Sequence, residues 1–229
     1  PKKIARLTSA LGITDLEALE EACRENKLIG LPGFGPKTQA KIGAGIQFLK
    51  EHRNRFLWTE GMEWARQLQA HLAAHPKVSQ VEIAGDLRRG QPVADRIDLV
   101  AATTDPAAVA ADLASSEFNQ NRKAVAGGGH GTGETTILLP SNITVHLRAV
   151  PPEGFPTALL YSTGNPAHHQ ALTRLAAEGG FTLRQDGLFK AEEFIPCQGE
   201  ADLYRHLGLA YIPPELRENR GELEAAASG

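Results

Sequence analysis

Four strand-like runs, at residues 81–85, 97–102, 135–139 and 143–150, follow residues 1–62, which read only as short helices. The pattern changes from about Met62, where one more helix-like stretch leads into the strand-like runs. Such a chain must build a helical unit first and then a mixed unit on a small sheet. Residues 63–74 read as a helix, with Ala65, Leu68 and Leu72 as its core stripe, and 75–77 break it. Asp105-Pro106-Ala107 reads as a cap and first-turn proline opening an Ala-rich helix to about Ser115. Helices at 165–178 and 200–207 and short strands near 181–183 and 187–190 fill the last third, before Pro213-Pro214 and a polar tail. The 229 residues suffice for one large domain or two to three subdomains.

In the first third, Thr14-Asp15-Leu16-Glu17 reads as a capping box, with Leu16, Leu19 and Cys23 following at helical spacing. Ile42, Ile46 and Leu49 give a later helix its buried stripe, and the basic stretch Lys50–Arg55 closes the unit. Pro1–Arg6 reads as the second half of a further hairpin, so the chain is expected to be a fragment of a longer protein. Residues 1–62 hold ten Lys/Arg against seven Asp/Glu, whereas 63–229 hold fourteen against twenty. A polyanion partner is therefore expected at the N-terminal third, through local geometry rather than bulk charge. The composition excludes disorder, collagen and a disulfide scaffold. No apolar run approaches the length of a membrane span and the stretch PKKIARLTSALG does not indicate secretion, so the expected place is the cytoplasm, at the nucleoid. Cys23 and Cys197 lie far apart without ligand spacing and read as reduced thiols.

Leu31-Pro32-Gly33-Phe34-Gly35-Pro36-Lys37-Thr38 is the sharpest local motif. Two glycines permit a tight turn with close backbone approach, and Pro36 suits a first helical position. The amides and dipole at that helix start can hold a phosphate, with Lys37 and Lys41 one turn apart beside it. The segment resembles a helix-hairpin-helix DNA-binding motif, which grips backbone without reading sequence. Gly33, Phe34, Gly35, Lys37, Thr38 and Lys41 are the expected DNA contacts.

Residues 81–100, VEIAGDLRRGQPVADRIDLV, run a strand into Gly85, then Arg88 and Arg89, then a second strand. Here the chain resembles the family X DNA polymerases, the polymerase β-like group, whose pattern is Gly-Ser-x-Arg-Arg-Gly, six residues, then Asp-x-Asp. Residues 143–164 resemble the strand with the family's third aspartate and its Tyr-Phe-Thr-Gly segment. Residues 208–226 resemble the end of the polymerase module in bacterial members, which usually continue into a PHP-type phosphoesterase domain. The resemblance covers nearly the whole chain. It implies a nucleotidyltransferase-like palm in a mixed α+β fold. The expected divisions are a helix-hairpin-helix subdomain over 1–62, the palm over 63–150 and a C-terminal nucleotide-pocket subdomain over 151–229.

The chemistry departs from the pattern. In-line phosphoryl transfer uses two divalent ions held by carboxylates. Residues i and i+2 of a strand share a face, so Arg96 and Asp98 stand where the paired aspartates belong, with Ile97 and Leu99 on the other face. In the run 143–150, Ile143, Val145 and Leu147 face the core, and His146, between Thr144 and Arg148, takes the third aspartate's place. Asp98 is the single remaining carboxylate of the three, the candidate catalytic residue and at most a weak metal ligand. Asp95, three residues away, is expected to point the opposite way. Asp86 replaces the phosphate-contacting serine, Ser162 replaces an aromatic, and His169 replaces an amide of the family. Gly85, Arg88, Arg89, Tyr161, Thr163 and Gly164 still match and would be remnants of the nucleotide pocket.

The resulting expectation is a DNA-binding module of a family X repair polymerase with a degenerate metal site. Active members take magnesium or manganese, but this chain is expected to bind no cofactor, or a metal only weakly at Asp98. Its partners would be gapped or nicked DNA, a weakly held dNTP and the missing flanking domains. One alternative is an active gap-filling polymerase that uses manganese through Asp98 and His146. Another is a scaffold for a PHP-type domain. His130, in the glycine-rich loop 126–133, and the neighbours His168 and His169 read as surface histidines rather than a metal site.

Overall fold

The structure, a computed structural model, describes residues 2–52, 55–120 and 133–227. The glycine loop with His130, up to residue 132, and the basic side chains of Lys50 and Arg53 lie outside the described part. The chain divides into two compact units, 1–54 and 55–229. The division falls before the change of pattern at Met62. The expected palm and C-terminal subdomain lie together in the second unit.

The first unit contains α1 (Lys2–Leu11), α2 (Leu16–Arg24) and α3 (Pro36–His52). Leu7, Ile13, Ala22, Leu28 and Phe34 are its buried core, with Leu19 and Ile42 packed against them. The cap of α2 is Asp15 rather than Thr14. Its extended backbone points Oδ1 at the Ala18 amide, 2.8 Å away, and the carboxylate also suits the positive end of the helix.

The second unit opens with β1 (Phe56–Leu57), α4 (Trp58–Ala73), β2 (Val78–Ala84), the single turn α5 (Gly85–Arg88) and β3 (Val93–Ala94). There follow β4 (Arg96–Thr103), α6 (Pro106–Ser115), β5 (Gly133–Leu138), β6 (Thr144–Val150), α7 (Phe155–Thr163) and α8 (Pro166–Glu178). The chain ends with β7 (Phe181–Arg184), β8 (Gly187–Lys190), β9 (Glu193–Ile195), α9 (Glu200–His206) and α10 (Glu222–Ala227). The polar tail thus contains a helix, α10, whose Leu223 is buried.

The main sheet has the order β2-β4-β6-β5, parallel only between β4 and β6. Ala65, Leu68 and Leu72 of α4, with Val109 and Leu113 of α6, share one core with Ile97, Leu99, Val145 and Leu147. Val100 and Ala102 pack with Phe155, Ala158 and Leu159 in another. Strand β4 is therefore covered on both faces, which explains its nearly unbroken apolar run after Asp98. A third core joins Leu172 and Ala176 of α8 to Leu183, Leu188, Leu203 and Tyr204. Strands β1 and β3 form a separate two-stranded ribbon, and β7-β8-β9 a small meander. The architecture is mixed α/β. Among the described residues no helix is long and apolar enough to cross a membrane.

Candidate functional site

In the first unit the hairpin turn is pinned from two sides. Gly33 has φ +86°, which favours glycine, and Arg6 of α1 donates from Nη1 to the Pro32 carbonyl at 2.8 Å. The Gly35 carbonyl accepts from both the Thr38 and Gln39 amides at 2.9 and 3.0 Å, starting α3 directly after the turn. Gly33, Gly35, Lys37 and Lys41 are exposed and Thr38 is half-buried. Phe34 is 2% exposed and belongs to the core. It anchors the turn from within, so its expected place among the contact residues is corrected: an apolar ring between two glycines fills the hole under the turn. The clamp from Arg6 had no local signal, because its partner lies 26 residues away.

In the second unit a cleft of about 630 Å³ lies over the carboxyl end of β2 and the starts of β4 and β6. The sheet register sets its floor. Asp98 pairs with Ala84 on one side and His146 on the other. Gly85 turns sharply out of β2 with φ +63°, and a Cβ there would stand 2.4 Å from Asp98 Oδ2. Glycine is thus required twice, by backbone angle and by the approach of the carboxylate.

Arg96 and Asp98 share the cleft as alternation requires. Arg96 Nε lies 2.9 Å from Asp98 Oδ1 and 3.1 Å from Oδ2. His146 Nδ1 stands 3.5 Å from the same Oδ1. Burial works against the Arg96 charge, but Asp98, with Asp95 and Asp86 behind it, outweighs this and raises the pKa of the guanidinium. Asp95 also lines the cleft. It precedes β4, so strand alternation does not govern its direction, and the expectation that it points away is corrected.

The residues expected as remnants of a nucleotide pocket lie around two arginines. Arg88 donates to Glu200 at 3.0 and 2.7 Å and to Thr163 Oγ1 at 2.8 Å. Glu200 also accepts from the fully buried Arg217 at 2.6 Å. Burial pushes the Glu200 carboxyl up, but the two guanidinium groups reverse this and hold it below the usual range. Arg89 donates to the Thr163 carbonyl and to Asp86, and its Nε lies 3.2 Å from Glu218. Gly164, φ +75°, lets Arg89 through, since a Cβ would lie 2.6 Å from its Nη1. Tyr161 donates its hydroxyl to the Leu183 carbonyl at 3.0 Å.

His168 and His169 are not surface residues. His168 is fully buried and lies 2.6 Å from Glu222 and 3.0 Å from the Tyr204 hydroxyl. His169 Nε2 sits 2.6 Å from the Leu160 carbonyl, beside Tyr161, and burial lowers its pKa to about 4. Alternate faces of one helix explain their separate partners. The sequence reading missed Glu134, Glu200, Arg217 and Glu218. Glu134 lies 2.9 Å from Arg148, its cross-strand partner. A strand register is not visible before pairing is known, and Glu200 is 112 residues from Arg88.

Each arginine of this cleft thus has a carboxylate of the same chain: Arg89 has Asp86, Arg96 has Asp98 and Arg148 has Glu134. Among the described residues no three His, Cys, Asp or Glu side chains converge as a metal site requires. A pair of divalent ions does not fit this donor set, because a guanidinium spans both oxygens of Asp98.

A family profile described as the DNA polymerase beta thumb matches residues 158–218. The chain is 33% identical to the DNA polymerase/3'-5' exonuclease PolX of Bacillus subtilis over 97% of its own length and 39% of that protein's. It is 39% identical to the human DNA-directed DNA/RNA polymerase mu over 39% of its own length and 19% of that protein's. The chain thus spans well under half the length of these relatives.

Proposed function

The chain belongs to the family X DNA polymerases, and from that premise we propose that it is a DNA-engaging module whose nucleotidyl-transfer site has lost its metals. The observation that carries this reading is the Arg96 guanidinium on both oxygens of Asp98, with His146 beside them. An in-line transfer needs several carboxylates around two ions. Here the cation is built into the chain. The hairpin supplies the DNA contact: the exposed Lys37 and Lys41 and the start of α3 meet backbone phosphates, while Phe34 and Arg6 hold the turn in shape. The same family relation makes gapped or nicked duplex the reading for its substrate and the nucleoid for its place.

A manganese-assisted polymerase is the competing reading, and the 3.5 Å approach of His146 to Asp98 favours it. Single-nucleotide incorporation on gapped DNA, in magnesium and separately in manganese, separates the two. We expect DNA binding without product. Product that disappears in Asp98→Ala would overturn the proposal. A second arm measures manganese binding by electron paramagnetic resonance. Arg96→Asp combined with His146→Asp restores three carboxylates and should bind the ion where the parent chain does not. Equal binding by both would show that the arginine is no obstacle.

A further inference from the structure

In the first unit a groove of about 790 Å³ runs between α2 and α3, away from any role given to the hairpin lysines. Glu17, Glu20 and Glu21 of α2 form one wall, and Gln39, Ala40 and Gly43 of α3 line the other. Arg24, the cation on this rim, is turned to Glu21 at 3.2 Å. The acidic field reaches inward: burial, and then the Glu20 carboxylate, raises the pKa of the Cys23 thiol. Carboxylates on a helix are usually no more than a solvated face. Two further features set this groove apart. Gln39 is 9% exposed, and while its Nε2 donates to Asn26 at 2.6 Å, its Oε1 is buried without a hydrogen-bond partner among the described residues. An orphaned buried acceptor is destabilising, and a ligand N–H would satisfy it. A Cβ at Gly43 would meet nothing within 4 Å, so the α3 wall is low enough to admit a chain.

We propose that this groove is a docking site for a basic peptide segment of a partner protein, with lysine or arginine donors on the acidic wall and Gln39 Oε1, and small side chains over Ala40 and Gly43. Phosphate is the wrong ligand here, since three carboxylates would face it. The unit would then carry two opposed functions, cationic at the hairpin and anionic at the groove. One holds nucleic acid and the other recruits a protein. This does not depend on whether the polymerase cleft is active.

The test uses the whole chain and a short fluorescein-labelled peptide of alternating lysine and alanine, read by anisotropy. Glu17→Gln with Glu20→Gln should weaken binding by roughly tenfold. Gly43→Leu changes no charge and improves helix propensity, but fills the groove, and should weaken binding by a similar factor. Ala40→Leu repeats the block on an exposed helix position, so that misfolding of one variant does not decide the result. Circular dichroism and gapped-DNA binding should be unchanged in all three. Absence of peptide binding overturns the proposal. So does unchanged binding by the folded Gly43→Leu and Ala40→Leu variants, because a diffuse acidic attraction is indifferent to the groove. Weaker DNA binding in the blocked variants would assign the groove to nucleic acid instead.

Discussion

Glu200 sits between Arg88 and Arg217 in a place almost closed to water. The buried Arg217 and the half-buried Arg88 share one carboxylate, so removing its charge leaves both guanidinium groups uncompensated. Glu200→Gln should therefore cost about 3–5 kcal/mol of stability, read by urea unfolding. A loss within the error of the extrapolation would mean that water already screens these groups. Gly85 makes the complementary case. Its φ of +63°, and the 2.4 Å at which an added Cβ would stand from Asp98 Oδ2, leave no room for Ala. Gly85→Ala should cost about 1–3 kcal/mol through backbone strain, with further loss from the displaced carboxylate. At this scale alternation alone gave the cleft face of Arg96, Asp98 and His146, because strand geometry is local. It could not give the counter-charges of Arg88 and Arg89: Glu200, which Arg217 shares, and Glu218 come from the far end of the chain, where nothing in the local pattern marks them.

Elements whose reasons are local were legible for the same cause. Asp105 caps α6 through the Ala108 amide at 3.1 Å, and Pro36 and Pro166 open α3 and α8. The hairpin was legible as a turn, but its glycine spacing hid that Phe34 is the anchor. Phe34→Ala removes the ring from a core of five buried residues and should cost about 3–5 kcal/mol of the unit's stability. Lys37→Ala should leave that stability within about 0.5 kcal/mol. Local unfolding followed by hydrogen exchange in the first unit distinguishes the two. In α8 the histidines set a pH dependence. The pKa of His169 is about 4 in the folded chain, below its ordinary 6.5, and burial lowers that of His168 as well. The unfolded chain therefore binds protons first, and stability falls as pH drops from about 6.5 towards 4. The urea midpoint should be lower at pH 5 than at pH 7.5, and His169→Asn should narrow the difference. An unchanged difference would place the sensitivity elsewhere.

Across the whole molecule the charges are divided between the two units. Residues 1–54 hold nine Lys/Arg and six Asp/Glu, while 55–229 hold fifteen and twenty-one. The second unit is not only acidic in sum. Its cleft arginines are already engaged by carboxylates, so a phosphate must displace an internal partner to reach them. The first unit's Lys37 and Lys41 are exposed. DNA affinity should accordingly be carried by a few cations of the first unit. Each phosphate neutralised on a duplex contributes roughly −0.9 to the slope of log K against log salt. Confinement to that unit predicts a slope no steeper than about −4 on gapped duplex, falling in magnitude by roughly 2 in Lys37→Ala with Lys41→Ala. A slope of about −6 or steeper that survives the double substitution would require the second unit's arginines to exchange their carboxylates for phosphates. In that event the internal ion pairs act as a latch that DNA opens. Otherwise the internal ion pairs stay closed when DNA binds, and the cleft takes no part in holding it.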